Sequence, residues 1–250
     1  MNLLETDNLH FSYGGGRDSL SVLSGISFRI GEGESVGLIG ANGAGKSTLL
    51  KLVCGLLRPS EGSISVAGIP VRKDTLSQVR KELGYVFQDA DNQLFTSTVY
   101  DDVAFAPRNY GLSPSETAEA VERALKAVRI EDLRDRAVFR LSGGEKKLAS
   151  IATVLSTSSR LLLMDEPSVA LDPRNRRNLI DIVNSLPCAK LIASHDLDFI
   201  YDTCPRTIFL SEGRVIFDGD TAKVLRDRSL LEAHGLELPL SFSRMPEEER

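Results

Sequence analysis

The chain is short of the residues that build metal centres, disulfides and membrane spans. Its three histidines, His10, His195 and His234, have no ligand-like spacing, so a histidine-based metal centre is excluded. The three cysteines, Cys54, Cys188 and Cys204, include no CxxC pair, and an odd number leaves one unpaired. That pattern argues against zinc and for buried thiols in a reducing compartment. Positive charge is outweighed: 30 Lys and Arg stand against 35 Asp and Glu, for a net charge of -5. No basic run is interleaved with aromatics, so nucleic acid is not expected as a partner. The start, MNLLETDNLH, lacks a basic region followed by an apolar stretch, and no window approaches the roughly 18 apolar residues of a spanning helix. Any membrane involved must come with another chain.

What is present is a large core: 42% of the 250 residues are hydrophobic, enough for one α/β domain, with or without an inserted subdomain. Short strand-like runs, NLHFSY, GISFRI and SVGLIG, are broken by GGGRD and GEGE, which predicts antiparallel pieces leading into a central strand. A helix is predicted from Lys46 to Leu57, apolar on most faces and therefore sheathed by protein. GSISVAG and LGYVFQ read as further strands. Residues 90 to 140 read as mostly helical, opened in part by a capping box at Ser113, Pro114 and Glu116. RLLLMDEP and AKLIASHD then read as buried strands, separated by a helix from Asp172-Pro173 whose Leu179, Ile182, Val183 and Leu186 form one stripe. The alternation is that of a parallel α/β sheet. The proline-punctuated, charged end, GLELPLSFSRMPEEER, is expected to be a loosely held tail.

Gly40, Gly45, Lys46 and Ser47 satisfy GxxxxGK[ST] between a predicted strand and a predicted helix. Free amides at such a helix start, with the positive end of the helix dipole, converge on phosphate oxygens. Lys46 would neutralise β- and γ-phosphate charge, and the Ser47 hydroxyl would bind Mg²⁺. The plainer reading is a glycine-rich turn with a solvated lysine. The glycine spacing is not GxGxxG, which disfavours a dinucleotide. LLLMDEP leaves Asp165 and Glu166 at a strand end, where carboxylates are costly to bury without a cation or proton partner. Asp165 would hold Mg²⁺ through water and Glu166 would act as general base; a helix-capping pair is the alternative. No NKxD motif reads guanine, so ATP is favoured over GTP.

In LSGGEKK, capping accounts for Ser142 and Glu145 but not for Gly143 and Gly144 in a first turn, where each glycine costs about 1 kcal/mol relative to alanine. A second anion site is implied. Because the chain's own phosphate loop is already assigned, that site makes sense against nucleotide held by another copy.

GANGAGKST, LSGGE, LLLMDEP, SVALD and SHD together resemble an ABC-type ATPase subunit, over about residues 3 to 225. The resemblance implies a P-loop NTPase core with a mostly parallel sheet, an N-terminal antiparallel β subdomain, and a helical subdomain inserted at about 90–157. It implies an ABC ATPase domain over 1–225, a tail over 226–250, and two chains that sandwich ATP head to tail. It extends nucleotide binding to Asn42, Gly43, Ala44 and Thr48. It gives His195 a γ-phosphate contact, although a strand-end histidine is more often structural. It gives Gln88 a role at Mg²⁺ and in sensing the partner. It stacks Tyr13 on adenine, against a plain strand-packing role, and puts Asp172 at the dimer seam, against a simple N-cap. Two departures stand out. Glu145 replaces the commoner glutamine, and its carboxylate is expected to point away from phosphate; Ala170 replaces a frequent glycine.

FQDADNQLFTSTVYDDVAFAPRNYGLS is similar to the segment with which energy-coupling-factor importers grip a membrane coupling protein. LSGGEKKLASIATVL is more similar to the cobalt or nickel branch than to the vitamin branch. The resemblance therefore implies a homodimer on the cytoplasmic face of the membrane, bound to a transmembrane coupling protein and a substrate-binding membrane subunit, with no residue touching the cargo. The alternatives are a vitamin importer and a soluble, non-transport ABC ATPase. The latter is disfavoured by the single cassette and the lack of heptads.

Overall fold

The computed structural model describes residues 2–14 and 20–243. Most of the predicted GGGRD break lies outside them. Two long strands, β1 (Asn2–Tyr13) and β2 (Leu20–Gly31), pair antiparallel. With β4 (Glu61–Val66) and β5 (Ile69–Pro70) they form a sheet in the order β2-β1-β4-β5.

The second sheet carries the site. Its order is β10-β9-β3-β8-β7-β6, built from β3 (Ser35–Ile39), β6 (Leu83–Val86), β7 (Leu161–Asp165), β8 (Ala189–Ala193), β9 (Arg206–Ser211) and β10 (Arg214–Asp220). All neighbours are parallel except the β9–β10 hairpin. Alternation sorts the side chains. Leu161 and Leu163 face the core shared with the antiparallel sheet, while Leu162 and Met164 face the core shared with the helices. Both faces are covered, as the unbroken apolar runs of a parallel sheet require.

α1 (Lys46–Val53) follows β3 directly and buries Leu49, Leu50, Leu52 and Val53 completely. It is shorter than the predicted Lys46–Leu57. Gly55 takes φ +69 and fits against Leu76, where a Cβ would meet Cδ2 at 2.2 Å, so the helix ends there and Leu56 is exposed. α2 (Leu76–Glu82) leads into β6. Residues 90–157 hold α3 (Val99–Asn109), α4 (Pro114–Ala127) and α5 (Gly143–Leu155), with no strand between β6 and β7. Both predicted capping boxes are present, at Ser113/Glu116 and Ser142/Glu145. α6 (Pro173–Ser185) buries Leu179, Ile182 and Val183, with Leu186 partly buried at its end, and α7 (Leu197–Thr203) follows β8.

The expectation of a loose tail is corrected as far as Ser243. α8 (Thr221–Arg226), α9 (Arg228–Ala233) and α10 (Leu240–Ser243) pack back on the domain. Leu231 and Phe242 are buried, Phe242 meets Tyr201 edge to face, and Asp198 accepts from the amides of Leu240 and Ser241. One buried aromatic ring and a carboxylate that pairs two backbone amides outweigh the polar composition. No helix among the described residues is long and apolar enough to cross a membrane.

Candidate active site

The parallel strands all point their carboxyl ends at one edge, and four loops meet there: those after β3, β6, β7 and β8. The order jumps on either side of β3, which makes this edge the ligand-binding switch point of an open α/β sheet.

Residues 40–45 link β3 to α1. Gly45 is the N-cap of α1, with φ 104 and no side-chain cap, and a Cβ there would meet Leu23 Cδ2 at 2.7 Å. The position therefore requires glycine, and it leaves the first-turn amides of α1 without a side-chain acceptor. Asn42 and Gly43 form the exposed tip, while Ala44 and Thr48 are buried. Lys46 is 7% exposed, and its ammonium donates to the carbonyls of Gly40 (2.7 Å) and Ala41 (3.3 Å). Burial lowers its pKa, opposed by the nearby charges of Glu166 and Asp165.

Asp165 ends β7, and both of its oxygens are engaged. Ser47 Oγ donates to Oδ1 at 3.0 Å, and the Tyr85 hydroxyl donates to Oδ2 at 3.1 Å. Burial, and then the Asp165 charge, push the Tyr85 phenol well above its usual value. Glu166 follows with φ 47, a left-handed conformation uncommon for a side chain of its size, and its backbone N–H donates to Ala193 O at 2.8 Å. Its Oε2 accepts from Ser194 Oγ (3.0 Å) and from the His195 amide (3.1 Å), and lies 2.8 Å from His195 Nδ1. Glu166 is buried, whereas the His195 ring is exposed. The pair therefore sets a sequestered carboxylate behind an accessible imidazole ring.

Gln88 is exposed on the wall of a cleft of about 470 Å³ that Ser47, Asp165, Gly143 and Ala170 also line. Tyr13, 42% exposed, ends β1 with its ring perpendicular to that of Phe11 and its hydroxyl 3.3 Å from Thr48 Oγ1. It is thus free to present a face beside the phosphate loop.

Ser142, Gly143 and Gly144 start α5 on a separate element, and among the described residues no hydrogen bond ties them to the loop at 40–48. Space beside Gly143 is open for at least 4 Å, whereas a Cβ on Gly144 would meet Asn175 at 2.7 Å. Glu145 turns back as expected: Oε2 accepts from the Ser142 amide at 2.7 Å and Oε1 lies 3.3 Å from Arg136. These bonds, chiefly those to Ser142, hold its carboxyl below the usual range. Asp172 caps α6 through the amides of Arg174 and Asn175, both at 2.9 Å, and accepts from Asn175 Nδ2 at 2.6 Å. Asn175 therefore joins the Asp172 cap to the start of α5. Ala170 has φ 63, the left-handed conformation that makes glycine frequent there.

Tyr85 and Ser194 escaped the sequence reading as site residues. Each reaches its carboxylate across strands far apart in sequence, a pairing visible only once the strand order is known. Lys147 escaped too. It is buried in α5, with its ammonium on the carbonyls of Phe87 (3.0 Å) and Gln88 (2.6 Å), and burial brings its pKa down to about 8. Its signal was a charged residue on the inward face of an apolar helix.

Comparison with known proteins is consistent with this arrangement. The profile of the ABC transporter family matches residues 23–169. The energy-coupling factor transporter ATP-binding protein EcfA of Carboxydothermus hydrogenoformans is 42% identical, with 96% of this chain and 89% of the relative covered. Among solved structures, cbiO1 from Clostridium perfringens, part of the ABC transporter complex cbiONQ, superposes with TM-score 0.82 at 34% identity, covering 93% of this chain and 94% of that one. The ATP-binding cassette MJ0796, solved as a dimer in a post-hydrolysis state with ADP and Pi, gives TM-score 0.79 at 25% identity over 87% of this chain and 98% of that one. With the phosphate loop, the Asp165–Glu166 strand end and the α5 start all in place, the chain belongs to the ABC transporter family, as an ATP-binding ATPase of the energy-coupling-factor type.

Proposed function

We propose that two copies of this chain hydrolyse ATP head to tail on the cytoplasmic face of the membrane and drive import of a transition metal ion, cobalt or nickel, through a membrane coupling protein and a substrate-binding membrane subunit. Residues 1–225 form the ABC ATPase domain, with the helical subdomain at about 90–157 inserted, and 226–250 an appended C-terminal segment.

The geometry supports a role for each residue. The α1 amides of the 40–48 loop and Lys46 bind the β- and γ-phosphates, and Tyr13 stacks on the base. The donors fit Mg²⁺: Ser47 Oγ and Asp165 Oδ1 are hard oxygens 3.0 Å apart, with the Gln88 amide on the same cleft. When bound, the ion offsets phosphate charge. Glu166 orients the attacking water and takes its proton, while His195 contacts the γ-phosphate and keeps the Glu166 carboxylate aimed. Ser142, Gly143, Gly144 and Asp172 complete the facing chain's pocket. The open space at Gly143 supports that reading, since glycine in a first turn is costly unless a ligand must come close.

One observation carries the transport reading. A groove of about 300 Å³ runs between β6, α3 and α5, with exposed rings of Phe95, Phe105 and Tyr110 along it. Asp102 lines it too, buried, with Oδ1 on the amides of Phe95 and Thr96 and Oδ2 without a partner. Exposed aromatic rings along an apolar groove suit the apolar face of a short amphipathic helix. The occupant is the cytoplasmic helix of the coupling protein. The likeness to cbiO1 and the LSGGEKKLASIATVL stretch support a metal cargo.

The test is co-expression with the membrane proteins encoded beside it, then uptake in vesicles. Radioactive cobalt or nickel should accumulate with ATP and fail to do so with Phe105→Glu. Vitamin uptake in place of metal would establish the vitamin alternative, and no membrane association would establish the soluble one.

A further inference from the structure

Gln88 and the α5 start belong, on the reading above, to different nucleotide pockets: the glutamine to the chain's own, Ser142 to Gly144 to the facing chain's. Within one chain they are fastened together. Lys147 is 4% exposed, and its ammonium donates to Phe87 O at 3.0 Å and to Gln88 O at 2.6 Å. Gln93 ties the other end of the same segment: its Nε2 donates to Ser150 O (2.7 Å) and lies 2.8 Å from Thr153 Oγ1, while its Oε1 accepts from Phe87 N at 3.1 Å. Lys146 adds an ion pair to Asp91 at 2.6 Å. Residues 87–93 are thus held to α5 at three points.

Lys147 is the central one. It stands four residues after Gly143, about one helical turn or ~6 Å along the axis. A buried ammonium is expensive where leucine or methionine would pack, so its presence needs a reason beyond filling space. Its two acceptors are the carbonyls where the chain leaves β6, and these set the direction in which the Gln88 side chain leaves the backbone.

We propose that Lys147 is a positioning residue that locks the Gln88 backbone to the first turns of α5, so that the glutamine reading a chain's own nucleotide and the glycines offered to the facing chain move as one piece. The inference rests on the two-chain reading above. Its consequence is that one side chain, on the wall of the cleft that Ser47, Gln88, Asp165 and Gly143 also line, serves both pockets at once.

Heterodimers of differently tagged chains test it. One chain carries Glu166→Gln, so the pocket able to turn over is that of the other chain, completed by the first chain's α5. Lys147→Met is then placed in either chain. In the first it acts only through the α5 start, and in the second only through Gln88. Each placement is expected to lower kcat about tenfold, since misplacement on the ångström scale costs rate rather than binding, while Kd for a fluorescent ATP analogue stays within about twofold. Lys147→Leu, which also lacks a donor, replaces it should the methionine variant not fold, and Lys147→Gln, which keeps a donor, should recover part of the lost kcat. A placement that leaves kcat unchanged overturns the inference, as does ATP affinity falling in step with kcat. A reference heterodimer, with Lys147 intact, that is itself inactive overturns the two-chain reading and this inference with it.

Discussion

Two helices in this chain begin with glycine, and they are finished differently. α1 starts at Gly45, left-handed and without a side-chain cap, with Lys46 buried beside it. α5 starts at Ser142 with a complete capping box, and only its glycine surface is bare. The first keeps its amides and its cation within one chain, with Ser47 bonded across to Asp165 at the end of β7. The second is satisfied by its own residues and leaves open space only beside Gly143. On the proposed two-chain reading, a helix start that serves the chain's own ligand is left open electrostatically, and one that serves a ligand brought by another body is closed electrostatically and left open sterically.

The sharpest way to break this contrast is to remove the base. Glu166→Gln keeps the bonds from Ser194 and the His195 amide but takes no proton, so turnover should fall about a thousandfold with ATP still bound. ATP should then accumulate a dimer on gel filtration. A monomeric, ATP-loaded variant would mean that α5 needs no facing nucleotide.

Lys46→Ala strikes α1 alone. Losing a charge-assisted contact of about 1.5–3 kcal/mol should weaken ATP binding roughly 10- to 100-fold, read by equilibrium titration. Ser142→Ala strikes α5 alone, and both single variants should lack ATPase activity. Mixed, they leave one pocket with Lys46 and Ser142 both intact. Activity should return in the mixture, and its continued absence would show that the two helix starts are not shared between chains.

The asymmetry also explains what was legible in the sequence. Features set by a few consecutive residues were readable: the 40–48 loop, both capping boxes, the α6 stripe, and Asp165 with Glu166 at a strand end. Contacts across the sheet were not. Tyr85 reaches Asp165 over 80 positions, and Ser194 reaches Glu166 over 28. The end of the chain misled because composition was polar while one ring decided the outcome: Phe242 is 2% exposed beneath Tyr201 and Arg226. The capping reading of Ser142, Glu145 and Asp172 was correct as geometry and does not compete with a role in the facing pocket, since the caps face inward along their own helices.

Gly143→Ala sharpens the comparison further, because stability and activity should move in opposite directions. Nothing lies within 4 Å of the added methyl, and alanine in a first turn gains up to about 1 kcal/mol over glycine. The melting temperature should rise by roughly 2–4 °C for a chain of this size. ATPase activity should nevertheless fall, about tenfold, because the methyl stands where the facing nucleotide must approach. Equal gains in both would remove the steric argument for Gly143.

The smallest effect expected is at Ala170, between the catalytic strand end and the Asp172 cap. Its φ of 63 carries a methyl through the left-handed region, at about 1 kcal/mol or more. Ala170→Gly relieves that strain but frees the unfolded chain, which returns about 0.4–1 kcal/mol of the gain. The net change should be a few tenths of a kcal/mol in favour of the variant, just resolvable by denaturant titration. ATP affinity should stay the same, since Ala170 hydrogen-bonds no residue of the 40–48 loop. Ala170 does line the cleft with Gly143 and Ser47, so a loss of turnover without a loss of affinity would place this turn among the parts that must stay rigid when two chains close.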